Sequence, residues 1–285
     1  MSRFHKSPNI YVNMISLKVK DIDASIEFYS KILGFKHINR KERKALVSAN
    51  GVDPLIVLEQ PENVKPKEMR RTGLYHFALL LPNRKELGKF LNHIMNIRYP
   101  LMGASHHGIS EAIYLQDIDD NGIEIYTDTP INKWKWIDDS LEMITTRLDL
   151  QSLIDEGKDE NWEGMPKETI IGHIHLHVSD LDEAERFYVD GLGFNIVNKI
   201  PKQATFTSTG AYHHHIAFNI WNGKGIPAPD ENSVGMKYYQ IKFPDQGTRI
   251  KTINRLEELG YEVTNENDTF ITSDPSNNKI HLVLK

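Results

Sequence analysis

Apolar residues along this 285-residue chain recur first at every second position, then at every third or fourth, and the alternation repeats. Ile15, Leu17 and Val19 alternate with polar neighbours, which predicts a strand face. Asp21 and Asp23 are placed to cap a helix. Ile26, Tyr29 (or Phe28) and Leu33 then fall at helical spacing, and Gly34 suits the left-handed position that ends the helix. Three strands are predicted next, over 35–39, 45–49 and 54–59. The unit is therefore βαβββ.

The unit restarts. A strand is predicted over 75–81 and a helix over 84–97, with strands following through 124–126. In the second half a strand is predicted over 237–243 and a helix over 247–259, with strands running to 280–284. The halves copy each other: Leu17 to Phe35 matches Leu176 to Phe194 at an offset of 159, with Asp21 on Asp180 and Phe28-Tyr29 on Phe187-Tyr188. Duplication of this kind sets the domain count at two. The expected fold is α+β: four βαβββ modules forming two domains of curved mixed sheets with flanking helices. The expected boundaries are 1–131 and 169–285, with a linker over 132–168 whose charged stretch, 137–164, reads as helical.

Composition narrows the chemistry. The net charge of −5, with no basic block, argues against nucleic acid as a partner. No apolar run approaches the roughly 20 residues of a membrane span, and the first residues lack the apolar stretch of a signal peptide, so a cytoplasmic location is expected. Cysteine is absent, which excludes disulfides, thiolate nucleophiles and cysteine-held metals. Any metal must be held by His, Asp, Glu, Tyr or water, and thirteen histidines make that feasible.

Comparing modules shows where the repeat is broken. His173 in the first strand of module three replaces Met14 of module one, and His76 in module two corresponds to Tyr238 in module four. In the last strands Glu124 corresponds to His281. Glu124 sits between Ile123 and Ile125, after the turn from Asp117 to Gly122, and a carboxylate on a sheet needs a cation or donor to meet it. Singly, His76 reads as a satisfied core histidine and Glu124 as an edge charge. Jointly, two imidazoles and a carboxylate form a facial triad suited to non-haem Fe(II) and oxygen chemistry.

Two further groups stand out. His175 and His177 alternate with His173 on a strand face that reads as solvated. Tyr212-His213-His214-His215-Ile216-Ala217-Phe218 reads as a strand with at least one histidine on each face, either hydrated or serving as a general acid/base. Trp134, Trp136, Trp162 and Trp221 read as anchors for linker and loop packing.

The run His107-Gly108, Ile113-Tyr114, Asp117 to Asn121 and Glu124, together with the repeat, resembles the two-domain extradiol ring-cleaving dioxygenases of the vicinal oxygen chelate superfamily, and most nearly the Bacillus-type catechol 2,3-dioxygenases. The resemblance implies His76, Glu124 and His173 as iron ligands, with His107 and Tyr114 beside the substrate. It points to His214 as the acid/base, through the element His214-His215-Ile216-Ala217-Phe218. It implies a catechol-type substrate, O2 and Fe(II), although the same ligands serve Mn(II). The sequence departs from the family pattern at Ile118 and Asp120, where Pro and Gly are usual. Familiar members also keep their ligands inside the C-terminal domain, where this chain has Tyr238 and His281 in two of the places. A complete site is therefore expected only if modules two and three pair, leaving modules one and four as an inert half.

Two other activities share such a scaffold. A glyoxalase-like isomerase or lyase would want a second glutamate, and 213–217 contains none. A metal-free small-molecule binding protein would hold no stoichiometric metal. Exposed sheet edges in folds of this type suggest a homo-oligomer.

Overall fold

The computed structural model describes residues 2–284. The first half contains β1 (Tyr11–Lys18), α1 (Ile22–Glu27), β2 (Lys36–Lys41), β3 (Lys44–Ser48), β4 (Ile56–Glu59), β5 (Gly73–Leu80), α2 (Arg84–Asn96), β6 (Gly103–His106), β7 (Ser110–Gln116) and β8 (Gly122–Asp128). Between the halves lie β9 (Trp136–Ile137), β10 (Ser140–Leu141), β11 (Thr146–Arg147) and α3 (Leu150–Gly157). The second half contains β12 (Ile170–His177), α4 (Leu181–Glu185), β13 (Asn195–Ile200), β14 (Ala204–Ser208), β15 (Ile216–Asn219), β16 (Gly235–Lys242), α5 (Gln246–Glu258), β17 (Thr264–Glu266), β18 (Thr269–Ser273) and β19 (Lys279–Val283).

The repeat is visible in local chemistry. Asp21 accepts from the N–H groups of Asp23 and Ala24, and Asp180 accepts from those of Asp182 and Glu183, so each copy caps its own helix. Both helices then widen by one residue per turn: Leu33 N–H donates to Phe28 O, and Leu192 N–H to Phe187 O. Tyr29 donates to Asp117 at 2.9 Å and Tyr188 to Asp274 at 2.8 Å. Each aspartate also ties a tight turn that launches the next strand.

β9 and β10 pair with each other as a two-stranded sheet, and each of the two large sheets takes strands from both halves of the chain. One has the order β17-β18-β19-β16-β1-β4-β3-β2, and the other β11-β6-β7-β8-β5-β12-β15-β14-β13. Modules one and four thus share a sheet through antiparallel β1 and β16, and modules two and three share one through antiparallel β5 and β12. The apolar side chains between sheets and helices form one large core that includes Phe77, Leu79, Phe90, Phe187 and Tyr239. The expected α+β architecture of βαβββ modules is what the chain adopts.

Two local expectations give way. Within 137–164 only Leu150–Gly157 is helical. This helix packs on α2 where Gly88 meets Gly157, a contact that a Cβ on either residue would block. β11 instead adds to the edge of the nine-stranded sheet beside β6. Residues 213–215 are not strand; β15 begins at Ile216.

Candidate metal centre

The register of three strands brings the triad together. On β5, Ala78 pairs with Glu124 of β8 on one side and His173 of β12 on the other. His76 is two residues before Ala78 and so shares its face. Gly122 permits the approach: a Cβ there would lie 2.2 Å from Tyr75 O and 3.1 Å from His76 Cβ. The result places Nε2 of His76 3.0 Å, and Nε2 of His173 3.2 Å, from Oε2 of Glu124. All three side chains are buried, with residue exposures of 8%, 1% and 3% for His76, His173 and Glu124.

Electrostatics leave the set ready for a cation. Burial drives His173 down to about 4, so its ring is neutral. Burial alone would push Glu124 up, but the imidazoles of His173 and His76 outweigh it and hold the carboxyl well below its usual range. Nε2 of His76 lies 3.0 Å from the carboxylate yet is buried without a hydrogen-bond partner among the described residues. Two imidazoles and one carboxylate, converging while Nε2 of His76 has no hydrogen-bond partner, fit a divalent metal.

The cleft above these groups has a volume of about 1010 Å³ and is lined by His76, Glu124, Tyr114, His107, His175 and His214 among others. Tyr114 faces Glu124 across the β7–β8 pairing. Nδ1 of His107 donates to Ile144 O at 3.0 Å, so in the neutral ring Nε2 accepts from the Tyr114 hydroxyl at 2.8 Å.

His214 stands against His173, with ring centroids 4.0 Å apart. Behind it, Asp128 accepts from Nε2 of His213 at 3.0 Å, and the two Nδ1 atoms of His213 and His214 meet at 2.9 Å. In neutral rings His213 Nδ1 must then accept from His214, which leaves Nε2 of His214 unprotonated. Burial, with the neighbouring imidazoles, holds His214 well below its usual range. His215 turns away from the cleft and donates to Phe4 O at 3.2 Å.

The sequence reading missed several residues. His175 is buried rather than solvated, and with half-buried His177 it lines the cleft beside Tyr75 and Trp221. Trp221 thus belongs to the cleft, and Trp134 packs on Phe4 and Tyr212. Tyr126, Tyr212 and Asp128 form a hydrogen-bonded layer beneath His173 and His213. Nothing in local spacing marked that layer, because Tyr212 meets Tyr126 and Asp128 only through side-chain hydrogen bonds across the halves.

Fold and residues together define a protein of the vicinal oxygen chelate type. Residues 11–125 and 170–282 match the Glyoxalase/Bleomycin resistance protein/Dioxygenase superfamily, and the chain belongs to that family. The Catechol-2,3-dioxygenase of Bacillus subtilis (strain 168) is 40% identical over 278 residues, 96% of each chain. Biphenyl-2,3-diol 1,2-dioxygenase 3 of Rhodococcus globerulus is 28% identical over 92 residues, covering 32% of this chain and 48% of that one. Glyoxalase I from Zea mays superposes with a TM-score of 0.59 at 15% identity over 96% of this chain and 92% of that one, a likeness of fold. The resemblance read from the repeat and the His107–Glu124 run agrees with these matches. No helix among the described residues is long and apolar enough to cross a membrane.

Proposed function

We propose that the chain is a catechol 2,3-dioxygenase: it opens the ring of a catechol next to the diol with O2, at Fe(II) held by His76, Glu124 and His173. The observation that carries this reading is the convergence of two buried imidazoles and a carboxylate beneath a cleft roomy enough for an aromatic ring. Bound there, Fe(II) would offer open positions to both substrate oxygens and O2 and pass electrons between them. Mn(II) fits the same donors. Both oxygen atoms of O2 enter the product, a 2-hydroxymuconic semialdehyde, so no external reductant is required.

The chain's own groups do the rest. Tyr114, steered by His107, orients a substrate oxygen. His214, with Nε2 unprotonated, takes a proton from the incoming catechol and returns it as the ring opens. Burial of the triad excludes bulk water from the metal side of the cleft. A glyoxalase-like reading is weaker, because the triad has one carboxylate and 213–217 supplies no other. The nine-stranded sheet is the working unit in this proposal, the eight-stranded sheet is its scaffold, and the location is cytoplasmic.

The test is metal analysis of anaerobically purified protein, then O2 uptake and appearance of the yellow ring-opened product with catechol. Stoichiometric iron and catechol-dependent uptake are expected, with both lost in His76→Ala, Glu124→Ala and His173→Ala. Iron retention and full activity in His173→Ala would overturn the ligand set.

A further inference from the structure

One wall of the cleft, beside His76, is held by hydrogen bonds whose directions all follow from a single backbone amide. Trp221 N–H donates to Oδ1 of Asn219 at 3.0 Å. A backbone N–H can only donate, so that amide atom is the oxygen and its mate is the nitrogen. This nitrogen lies 2.9 Å from Nε2 of His175. An amide nitrogen also only donates, so Nε2 of His175 accepts and bears no proton, and the neutral ring carries its proton on Nδ1. His177 fits the same assignment, its Nδ1 donating to Oδ1 of Asn219 at 2.8 Å. Asn219 is fully buried, at 0% exposure, so no bulk water competes for its amide.

His175 is held in place as well as in tautomer. Its ring packs edge-on against Tyr75 at 5.1 Å, and lies 5.2 Å from Trp221 and 5.7 Å from Phe206. Its centroid is 5.1 Å from that of His76, and the two residues are direct partners across β5 and β12. Among the described residues no hydrogen bond within the protein uses Nδ1 of His175, and the ring lines the cleft. A donor aimed and fixed before the ligand arrives reorganises little on binding.

We propose that His175 donates a hydrogen bond from Nδ1 to an oxygen of the aromatic substrate, and that Asn219 is the positioning residue that sets the donating tautomer. This rests on the reading of the cleft as a catechol site. A catechol oxygen that is losing its proton is an acceptor, so a fixed N–H beside it favours the ionised form. If the ring carried its proton on Nε2 instead, Nδ1 would present a lone pair to that oxygen and repel it.

Asn219→Asp tests the assignment with almost no change of shape. The carboxylate accepts where the amide donated, so the His175 proton moves to Nε2 and the cleft-facing nitrogen becomes an acceptor. Nitrogen-15 NMR of the full-length protein loaded with diamagnetic Zn(II) reads the tautomer directly. Anaerobic titration of the Fe(II) protein with 4-nitrocatechol, whose colour reports its ionisation, reads binding without turnover. The wild type should show the Nδ1–H tautomer and Asn219→Asp the Nε2–H tautomer. At equal iron content, Asn219→Asp and His175→Phe should bind 4-nitrocatechol about tenfold more weakly, as expected for one lost hydrogen bond to a charged group. His175→Asn, whose amide can place an N–H near the Nδ1 position, should recover most of the affinity. An Nε2–H tautomer in the wild type, or unchanged affinity in Asn219→Asp, would overturn the role of His175 and leave the catechol reading standing. A wild type that binds iron but not 4-nitrocatechol overturns the catechol reading and this inference with it.

Discussion

Glu124 and His173 belong to opposite halves of a duplicated chain, yet their side chains meet at 3.2 Å. They meet because Ala78 pairs with both, one on each neighbouring strand, and projects only a methyl group between them. The site is therefore a product of strand exchange between the halves. Neither half taken alone has the two histidines and the carboxylate.

Ala78 should control metal binding without being a ligand. It is fully buried and packs with Leu80, Ala112 and Tyr126. Ala78→Val would push two methyl groups into the space where the three donors converge, at an overpacking cost of about 1–3 kcal/mol. The expected outcome is a folded protein with sharply reduced iron content although His76, Glu124 and His173 all remain. Metal analysis and chelator competition check it, and wild-type iron affinity would show that the donors do not converge over Ala78.

The duplicated turns provide an internal control. Asp117 accepts from Asp119 N at 2.9 Å, Asn121 N at 2.8 Å, Asn121 Nδ2 at 2.9 Å and Tyr29 Oη at 2.9 Å. Asp274 makes the equivalent bonds to Ser276, Asn278 and Tyr188. Asp117→Asn and Asp274→Asn should each lose about 1–3 kcal/mol in urea unfolding, since each places an amide nitrogen among donors. Only Asp117→Asn should also weaken iron binding, because its turn launches the strand of Glu124. Equal iron affinity in both variants would separate the turn from the site.

The turn at Asp117 was legible in the sequence because its signals are local. Asp, Asn and Gly in a short run specify a turn, and Asp21 with Gly34 brackets a helix wherever it packs. The triad was legible for a different reason: the repeat supplies its own comparison, and His76, His173 and Glu124 are where the copies differ. What was not legible depends on partners distant in sequence. Alternation puts His175 on the face of His173 but does not say that Trp221 and Tyr75 cover it. The pairing of β5 with β12 slips between His76 and Leu74, so Tyr75 is the extra residue of a bulge and turns toward the cleft. Residues 213–215 look like strand by composition, yet their rings are claimed by Asp128, His173 and the N-terminal segment, which hold the backbone in a loop.

His214 and His213 should separate chemistry from binding. His214→Phe fills the same space but removes the Nε2 lone pair, so iron content should persist while kcat falls about 10²-fold or more, in the range of a lost acid/base group. His213→Phe leaves His214 without its Nδ1 acceptor and frees the ring to change tautomer, so a smaller fall in kcat and an altered pH profile are expected. Steady-state kinetics on iron-matched proteins decide the matter. Unchanged kcat in His214→Phe would remove it from proton transfer.

Acid should destabilise the fold through a residue outside both repeats. His5 is buried, and its Nε2 lies 2.7 Å from Gly172 O, next to His173 in the chain. Burial lowers it from 6.5 to about 4 in the folded protein. Above pH 6.5 the ring is neutral whether the chain is folded or not, and its contribution to stability is constant. Between pH 6.5 and 4 the unfolded chain takes up a proton that the folded chain refuses, so stability falls as pH falls through this window. The loss reaches on the order of 3 kcal/mol by pH 4. His5→Asn keeps a donor for the Gly172 carbonyl but cannot titrate. Urea midpoints of metal-free protein at pH 7 and 4.5 should therefore differ less for His5→Asn than for the wild type, while other buried groups contribute equally to both. Identical pH dependence in the two proteins would mean that His5 takes up its proton as readily in the folded chain as in the unfolded one.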